Sequence, residues 1–578
     1  MKSRPWWRDP IVNRRASLHD AAGEPKIDWW GSAVIYQLSP WSFQDSNDDG
    51  IGDLQGIIQR LDYIGSLGVD AIWLTPVFVS PMDDFGYDVT GEREIAPLFG
   101  TREDFTRLVD LAHRRGIRVI LDMVWNHTSD QHRWFVESRA SRANPKADWY
   151  VWADPAEDGG PPNNWRSSFS GESAWHYDET RQQYYYANFL ASQPDLNWFN
   201  DDMRDAVLDT ARYWLEAGID GMRLDAVNFF CHHPELRDNP PREEGSGVPD
   251  GVSMDNPLAE QLLVNSFCRP ETLERLAPLR ELVDEYPGVV LLGEVIEAED
   301  SIQLAAEYTA DDRRLHLAYH GALLFEERMR AGRLREVVSR ALDAFGEEGV
   351  CWIVGNHDFG RLRSQWGAAD EDYPPAFYRM MATLLLVLPG SFCLWQGDEL
   401  GLEEARIPED IPPEKLKDPF GRTMYPTLKG RDGSRTPMPW DDGDANAGFS
   451  RAEPWLPIPA AHYQRSVARQ QSDPDSMLNH WRCLLRWRTL QPALKAGRTT
   501  ILTYDDPLFG LLRESQEQRL LCLFNVSDRA IDVDLEPFGN LRPVEGVGHA
   551  AGLETSCRLG PWGVLLADLA DSAPTWNG

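Results

Sequence analysis

At 578 residues, with 42% hydrophobic and 26% charged side chains, the chain has the composition of a folded protein of several domains, and wholesale disorder is excluded. Its formal charge of −35 sets up a field that repels phosphate, which argues against nucleic acid and anionic membrane as partners. Lysine is scarce, seven residues against fifty arginines, and an acidic, lysine-poor surface suits a saline medium as well as an ordinary acidic cytoplasmic enzyme.

The first twenty residues, MKSRPWWRDPIVNRRASLHD, are basic with no apolar stretch behind them and do not read as a secretory signal. Short β-rich runs then alternate with amphipathic stretches. AVIYQLS (33–39) precedes a helical segment at LQGIIQRLDYIGSLG, and DAIWLTP (70–76) precedes TREDFTRLVDLAHRRG, where apolar residues recur at the helical period and Gly116 closes the helix. RVILDMVW (118–125), DGMRLDAV (220–227), VVLLGEV (289–295), LHLAYH (315–320), VCWIVGN (350–356) and SFCLWQGDE (391–399) complete eight strands. Eight βα units predict an α/β fold of the (β/α)8 TIM-barrel type. A doubly wound open sheet is the alternative, but no GxGxxG follows the first strand.

Two segments break the rhythm. Residues 128–203, rich in Trp, Tyr, Asn, Gly and Pro, predict a small domain inserted after strand 3, which leaves 1–127 and 204–497 for the barrel. After the helical MLNHWRCLLRWRTLQPAL, residues 498–578 alternate in the manner of strands and predict a C-terminal antiparallel β-sandwich. The longest apolar run, MMATLLLVL, stops at Pro389 and is too short to span a bilayer. Seven scattered cysteines without a CxxC argue for a reducing compartment and against a zinc site. A cytoplasmic protein, monomeric or a small homo-oligomer, with no membrane partner is the expectation.

Reactive groups of such a barrel gather at the C-terminal ends of its strands. Those positions hold Asp122, Asn126 and His127, then Arg223 and Asp225, Glu294, and Asn356, His357 and Asp358. One such Asp is more often a helix cap or turn former. Several carboxylates on one rim repel one another and cost stability unless function compensates.

DMVWNHTSD (122–130), DGMRLDAVN (220–228), LLGEV (291–295) and VGNHD (354–358) resemble the four motif regions of the α-amylase superfamily of retaining glycoside hydrolases. QPDLN (193–197) and GRDGSRTPMPW (430–440) are similar to its α-glucosidase and oligo-1,6-glucosidase branch, with Trp125 where that branch has a small apolar residue. The likeness runs from about Trp29 to the end of the chain. It implies Asp225 as nucleophile, Glu294 as general acid/base and Asp358 as the third carboxylate, which holds sugar hydroxyls in the distorted transition state. Arg223, two residues before Asp225, is expected to keep it ionised with a low pKa, and the apolar strand before Glu294 to raise the pKa of that acid. Asp122 is expected to brace Arg223. His127 and His357 are implied to bond the reacting ring, Tyr87 to stack on it, and Asp88 with Arg431 to grip the terminal hydroxyl, which makes the enzyme exo-acting. Arg435 is a second, weaker candidate. Taken alone, GYD (86–88) is as well a turn with a buried Tyr. Phe169 and the loop 229–251 are expected to roof the site, and many of the 23 tryptophans, although suited to stacking on sugars, belong to the core.

The segment Asp45–Asp53 carries oxygen side chains at alternate positions, as hard cations require, but Gly56 stands where an EF-hand has its twelfth-position Glu. The resemblance implies a structural Ca²⁺ (or Mg²⁺) held by Asp45, Asn47, Asp49, the Ile51 carbonyl and Asp53, with no organic cofactor. An Asp-rich turn without metal is the other reading.

The resemblance thus implies an exo-acting retaining α-glucosidase that takes small oligosaccharides and passes glucose to water or to hydroxylated acceptors. A glucosyl-moving isomerase, such as a trehalose synthase or sucrose isomerase, is the alternative on the same fold. Inactive transporter heavy chains that resemble the family lack the three carboxylates present here. In this branch Val after the nucleophile accompanies α-1,6 preference and Ala or Thr accompanies α-1,4; Ala226 therefore implies maltose-type substrates.

Overall fold

The computed structural model describes residues 28–569 apart from 244, 246, 312, 325–328, 367–372, 409 and 545–554, so the basic N-terminal stretch lies outside the described residues. Eight strands, β1 (Val34–Leu38), β2 (Ala71–Leu74), β3 (Arg118–Met123), β4 (Gly221–Leu224), β5 (Val290–Val295), β6 (Leu317–His320), β7 (Val350–Trp352) and β8 (Ser391–Trp395), form a closed barrel in chain order. All neighbours are parallel, with β8 returning to β1 through Val34 opposite Phe392. A strand between parallel neighbours, covered by helices outside and side chains inside, is buried on both faces, which is why these runs are almost continuously apolar. Alternate residues divide between the faces. Ile35, Trp73, Ile120, Leu292, Tyr319 and Cys393 pack in the interior. Tyr36, Ile72, Leu121, Leu291 and Leu394 pack with the surrounding helices.

The helix Arg102–Arg114 starts at a capping box in which Thr101 and Asp104 bond each other's backbone NH, and Gly116 follows it at φ 70°. The helical stretch after β1 divides into Leu54–Gln59 and Leu61–Leu67, because Arg60 leaves helical geometry at φ −103° and ψ 7°. Two excursions leave the C-terminal rim early in the chain. A hairpin of Phe78–Val79 with Gly91–Ile95, absent from the sequence reading, follows β2. After β3 comes a helix, Arg133–Ala140, and a small antiparallel sheet of Trp152–Ala153, Gln183–Tyr186 and Trp175–Asp178. Beyond the barrel, an antiparallel five-stranded sheet faces a two-stranded one, Ile531–Asp534 with Ser556–Leu559, across a core of Leu521, Leu523, Val533, Leu559 and Leu565. All seven cysteines are free, and among the described residues no helix is long and apolar enough to cross a membrane.

Candidate active site

The strand ends β3, β4, β5 and β7 converge on a cavity of about 540 Å³ lined by Tyr87, His127, Asp225, Glu294, Asp358 and Arg431 among others. At its base lies Arg223, fully buried on β4. Its Nη1 donates to Asp122 Oδ1 at 2.8 Å and to Asp225 Oδ1 at 2.7 Å, and its Nη2 lies 2.6 Å from Glu294 Oε2. Asp122 therefore braces Arg223 as expected. One rigid guanidinium fork thereby holds Asp225 and Glu294 side by side. Two further donors fix Glu294: the Ala226 NH to Oε2 at 2.9 Å and the Tyr319 hydroxyl to Oε1 at 3.0 Å.

The electrostatics of this cluster correct one expectation. Burial raises Asp225 well above the ordinary carboxylate range, Glu294 and Asp122 add to the rise, and the single cation of Arg223 does not outweigh them. Asp122 is likewise raised to about 6, chiefly by burial and against the pull of Arg223. Asp225 and Asp122 are thus raised together around one guanidinium, because neighbouring carboxylates disfavour each other's charge. Asp358 behaves oppositely. Burial opposes its charge, but His357, Arg431 and Arg435 hold it well below the usual range. Because burial pushes His357 down to about 3, that ring is neutral near pH 7, and the two arginines carry the effect there.

Tyr87 stacks on His357 at 5.2 Å between centroids, and its hydroxyl lies 2.5 Å from His357 Nε2 and 3.0 Å from Asp122 Oδ2. His127, pushed down to about 4 by burial, meets the Tyr87 carbonyl at 3.0 Å and lines the cavity. Phe169 lines the cavity and lies over the Arg431 guanidinium at 4.9 Å. Of the loop 229–251, Phe229 and Gly251 line it, while Arg237 and Asn239 turn to the inserted segment through Trp165 and Asn164.

Asp88 does not pair with Arg431. It is fully buried and accepts from Ser80 Oγ and the NH groups of Asp83 and Asp84, which shapes the loop and leaves its carboxyl raised to about 6, mainly by burial. The partner is Asp84, whose Oδ1 accepts from Arg431 Nη2 at 3.0 Å. Arg431 Nη1 also donates to Asp358 at 2.6 Å, and Asp418 anchors its Nε and Nη2. Arg435 bonds Asp358 at 2.8 Å and the His357 carbonyl at 2.7 Å, so both arginines serve that carboxylate. The sequence reading missed Asp84, Asp418 and the cavity-lining Glu297. DDFGYD offers three carboxylates, and one signal was present: with Tyr87 facing the cavity, its neighbour Asp88 turns into the loop.

In the Asp45–Asp53 segment Asp45, Asp49 and Asp53 are engaged by their own turn, and Asp48 by Arg451. Asp45 accepts from the NH groups of Asn47, Asp48 and Gly50, Asp49 from that of Ile51, and Asp53 from Ser46 and the helical NH of Gly56. Among the described residues no three His, Cys, Asp or Glu side chains stand close enough together to hold a metal ion, and none of the loop's side chains lines the cavity.

The family model for the alpha amylase catalytic domain matches residues 37–497. A probable alpha-glucosidase of Rhizobium meliloti is 46% identical over 95% of this chain and 98% of that protein. An oligo-1,6-glucosidase of Heyndrickxia coagulans is 36% identical over 92% and 98%. Among solved structures, the alpha-glucosyl transfer enzyme XgtA superposes with a TM-score of 0.89 at 48% identity, over 94% of this chain and all of that one. The trehalulose synthase MutB of Pseudomonas mesoacidophila gives 0.84 at 31% identity, over 95% and 100%.

Proposed function

The chain belongs to the alpha-amylase family of glycoside hydrolases, and we infer from its site that it is an exo-acting retaining α-glucosidase. The observation that carries the reading is the Arg223 fork with Asp225 and Glu294 on its two arms at the floor of a cavity. Asp225 attacks the anomeric carbon while Glu294 protonates the departing glycosidic oxygen. The Glu294 carboxylate then takes a proton from water, or from an acceptor hydroxyl, which displaces Asp225 and releases the glucosyl unit with its configuration kept. Asp358, held ionised by Arg431 and Arg435, accepts sugar hydroxyls and favours the distorted transition state. Asp84 and Arg431 grip the terminal hydroxyl, which restricts cleavage to the chain end.

Transfer to hydroxylated acceptors is part of this proposal, supported by the likeness to an alpha-glucosyl transfer enzyme and to a trehalulose synthase. Preference for α-1,4 bonds is supported by Ala226, which lines the cavity next to the nucleophile. A divalent cation in the Asp45–Asp53 loop, bound by Asp45, Asn47, Asp49, the Ile51 carbonyl and Asp53, remains a proposal for the loop's stability and has no part in the chemistry. A cytoplasmic setting is supported by the seven free cysteines. The test is glucose release from a chromogenic α-glucoside, followed by time-resolved NMR on maltose, isomaltose, sucrose and trehalose. A chain that yields isomers of sucrose and little free glucose fits the glucosyl-moving reading instead.

A further inference from the structure

Glu297 stands two residues beyond the end of β5 and three beyond Glu294. The reacting glucosyl ring belongs at the rim, where Asp225, Glu294 and Asp358 sit. Glu297 lines the same cavity, together with Gly251, Ser253 and Asn256. Asp84 and Arg431 take the terminal hydroxyl of the glucosyl unit and Glu294, three residues before Glu297, takes the departing glycosidic oxygen, so the Glu294 side of the cavity receives the leaving group. Glu297 takes φ 54°, the left-handed region that glycine adopts freely and other residues adopt at a cost. A strained backbone that nonetheless carries a long acidic side chain into a substrate cavity points to a use for that side chain.

Its surroundings fit the use. Ser168 Oγ lies 3.0 and 2.8 Å from the two carboxylate oxygens, and a hydroxyl has one proton to share between them. A carboxylate offers about four acceptor positions. Ser168 is itself set in place, its carbonyl held by Asn256 Nδ2 at 2.8 Å. Burial, with help from Glu294 and Asp358, raises Glu297 to about 7 against the lowering by Ser168 and Arg431, so its charge is poorly solvated and gains from new donors.

We propose that Glu297 is a specificity-determining residue whose carboxylate binds hydroxyl groups of the leaving sugar, or of an acceptor, beyond the scissile bond. The proposal deepens the α-glucosidase reading and rests on it. A hydroxyl-binding group selects against ligands that lack the hydroxyl, because it is then left buried without its partner.

The experiment compares kcat/KM for maltose with kcat/KM for 4-nitrophenyl α-glucoside, whose aromatic leaving group has no sugar hydroxyls, in wild type, Glu297→Gln and Glu297→Gly. Glycine relieves the backbone strain, so that variant removes the side chain without disturbing the fold. We expect the maltose to nitrophenyl ratio to fall about tenfold or more in both variants. The share of glucosyl units passed to glycerol should fall with it, and the glycine variant should melt no lower than wild type. An unchanged ratio, or a parallel loss on both substrates, overturns the proposal. A wild type that cleaves neither substrate overturns the glucosidase reading beneath it, whereas an active wild type with an unchanged variant ratio overturns the role of Glu297 alone.

Discussion

Asp84 and Arg431, 347 positions apart in the chain, meet at 3.0 Å in the lining of the cavity. The pair is carried by two different loops on the barrel rim, and Asp418 holds the arginine from the far side with both carboxylate oxygens. Asp84→Asn should therefore lower kcat/KM for maltose by about 10–100-fold, the worth of one hydrogen bond to a charged group at about 1.5–3 kcal/mol. Asp88→Asn should act chiefly on the melting temperature, since Asp88 ties Ser80, Asp83 and Asp84 together. Steady-state kinetics and thermal melts on the two variants separate the roles. If Asp88→Asn proves the more damaging to catalysis, the assignment of the gripping carboxylate is wrong.

Asp225→Asn and Glu294→Gln should each abolish turnover of maltose with the circular dichroism spectrum unchanged. Glucose should appear first as the α-anomer by NMR, as double displacement demands. Early β-glucose excludes the retaining mechanism.

The pH profile should carry the mark of the carboxylate cluster. The nucleophile works ionised, so activity rises as pH rises through its pKa. Burial, then Glu294 and Asp122, lift that pKa, which places the acid limb of kcat/KM above the range of an ordinary carboxylate. Asp122→Asn removes one negative neighbour and should shift the limb to lower pH, whatever it does to the maximum rate. A limb that stays in place or moves upward would falsify the reading of Asp122 as a charge that acts on Asp225.

Removal of a divalent cation from the Asp45–Asp53 loop should lower the melting temperature. A ligand bound by the folded state alone, at a hundred times its Kd, stabilises by about 2.7 kcal/mol. Elemental analysis of the purified protein should find about one Ca²⁺ or Mg²⁺ per chain, with oxygen ligands at roughly 2.3–2.6 Å for Ca²⁺. No metal, and a melt indifferent to exhaustive chelation, leave the loop as the hydrogen-bonded turn that its own NH groups already form.

Ala226 should set a preference for maltose over isomaltose. It lines the cavity, and its NH fixes Glu294, so a larger side chain there acts at the scissile bond. Steric selection of this kind is worth about 1–3 kcal/mol. Ala226→Val should erode the preference, read as the ratio of the two kcat/KM values. The ratio is the right quantity, because Ala226 sits at φ 44° and a β-branched residue there adds strain that lowers both rates alike. Equal efficiency of the wild type on the two sugars removes the steric argument.

The barrel, and the three carboxylates it gathers at one cavity, were legible in the sequence. Parallel strands buried on both faces must be apolar nearly throughout, so eight such runs separated by helical periods announce the fold. Their C-terminal ends must then share one rim, which places Asp225, Glu294 and Asp358 together before any coordinate is known. Tertiary structure alone decided which carboxylate of DDFGYD reaches Arg431, that Asp418 anchors it, that Glu297 lines the cavity, and that Asp225 is raised despite Arg223. Periodicity records which face of an element is buried. It does not record which loops meet above the rim, nor how much water is left around a charge, and both depend on the packing of residues hundreds of positions apart.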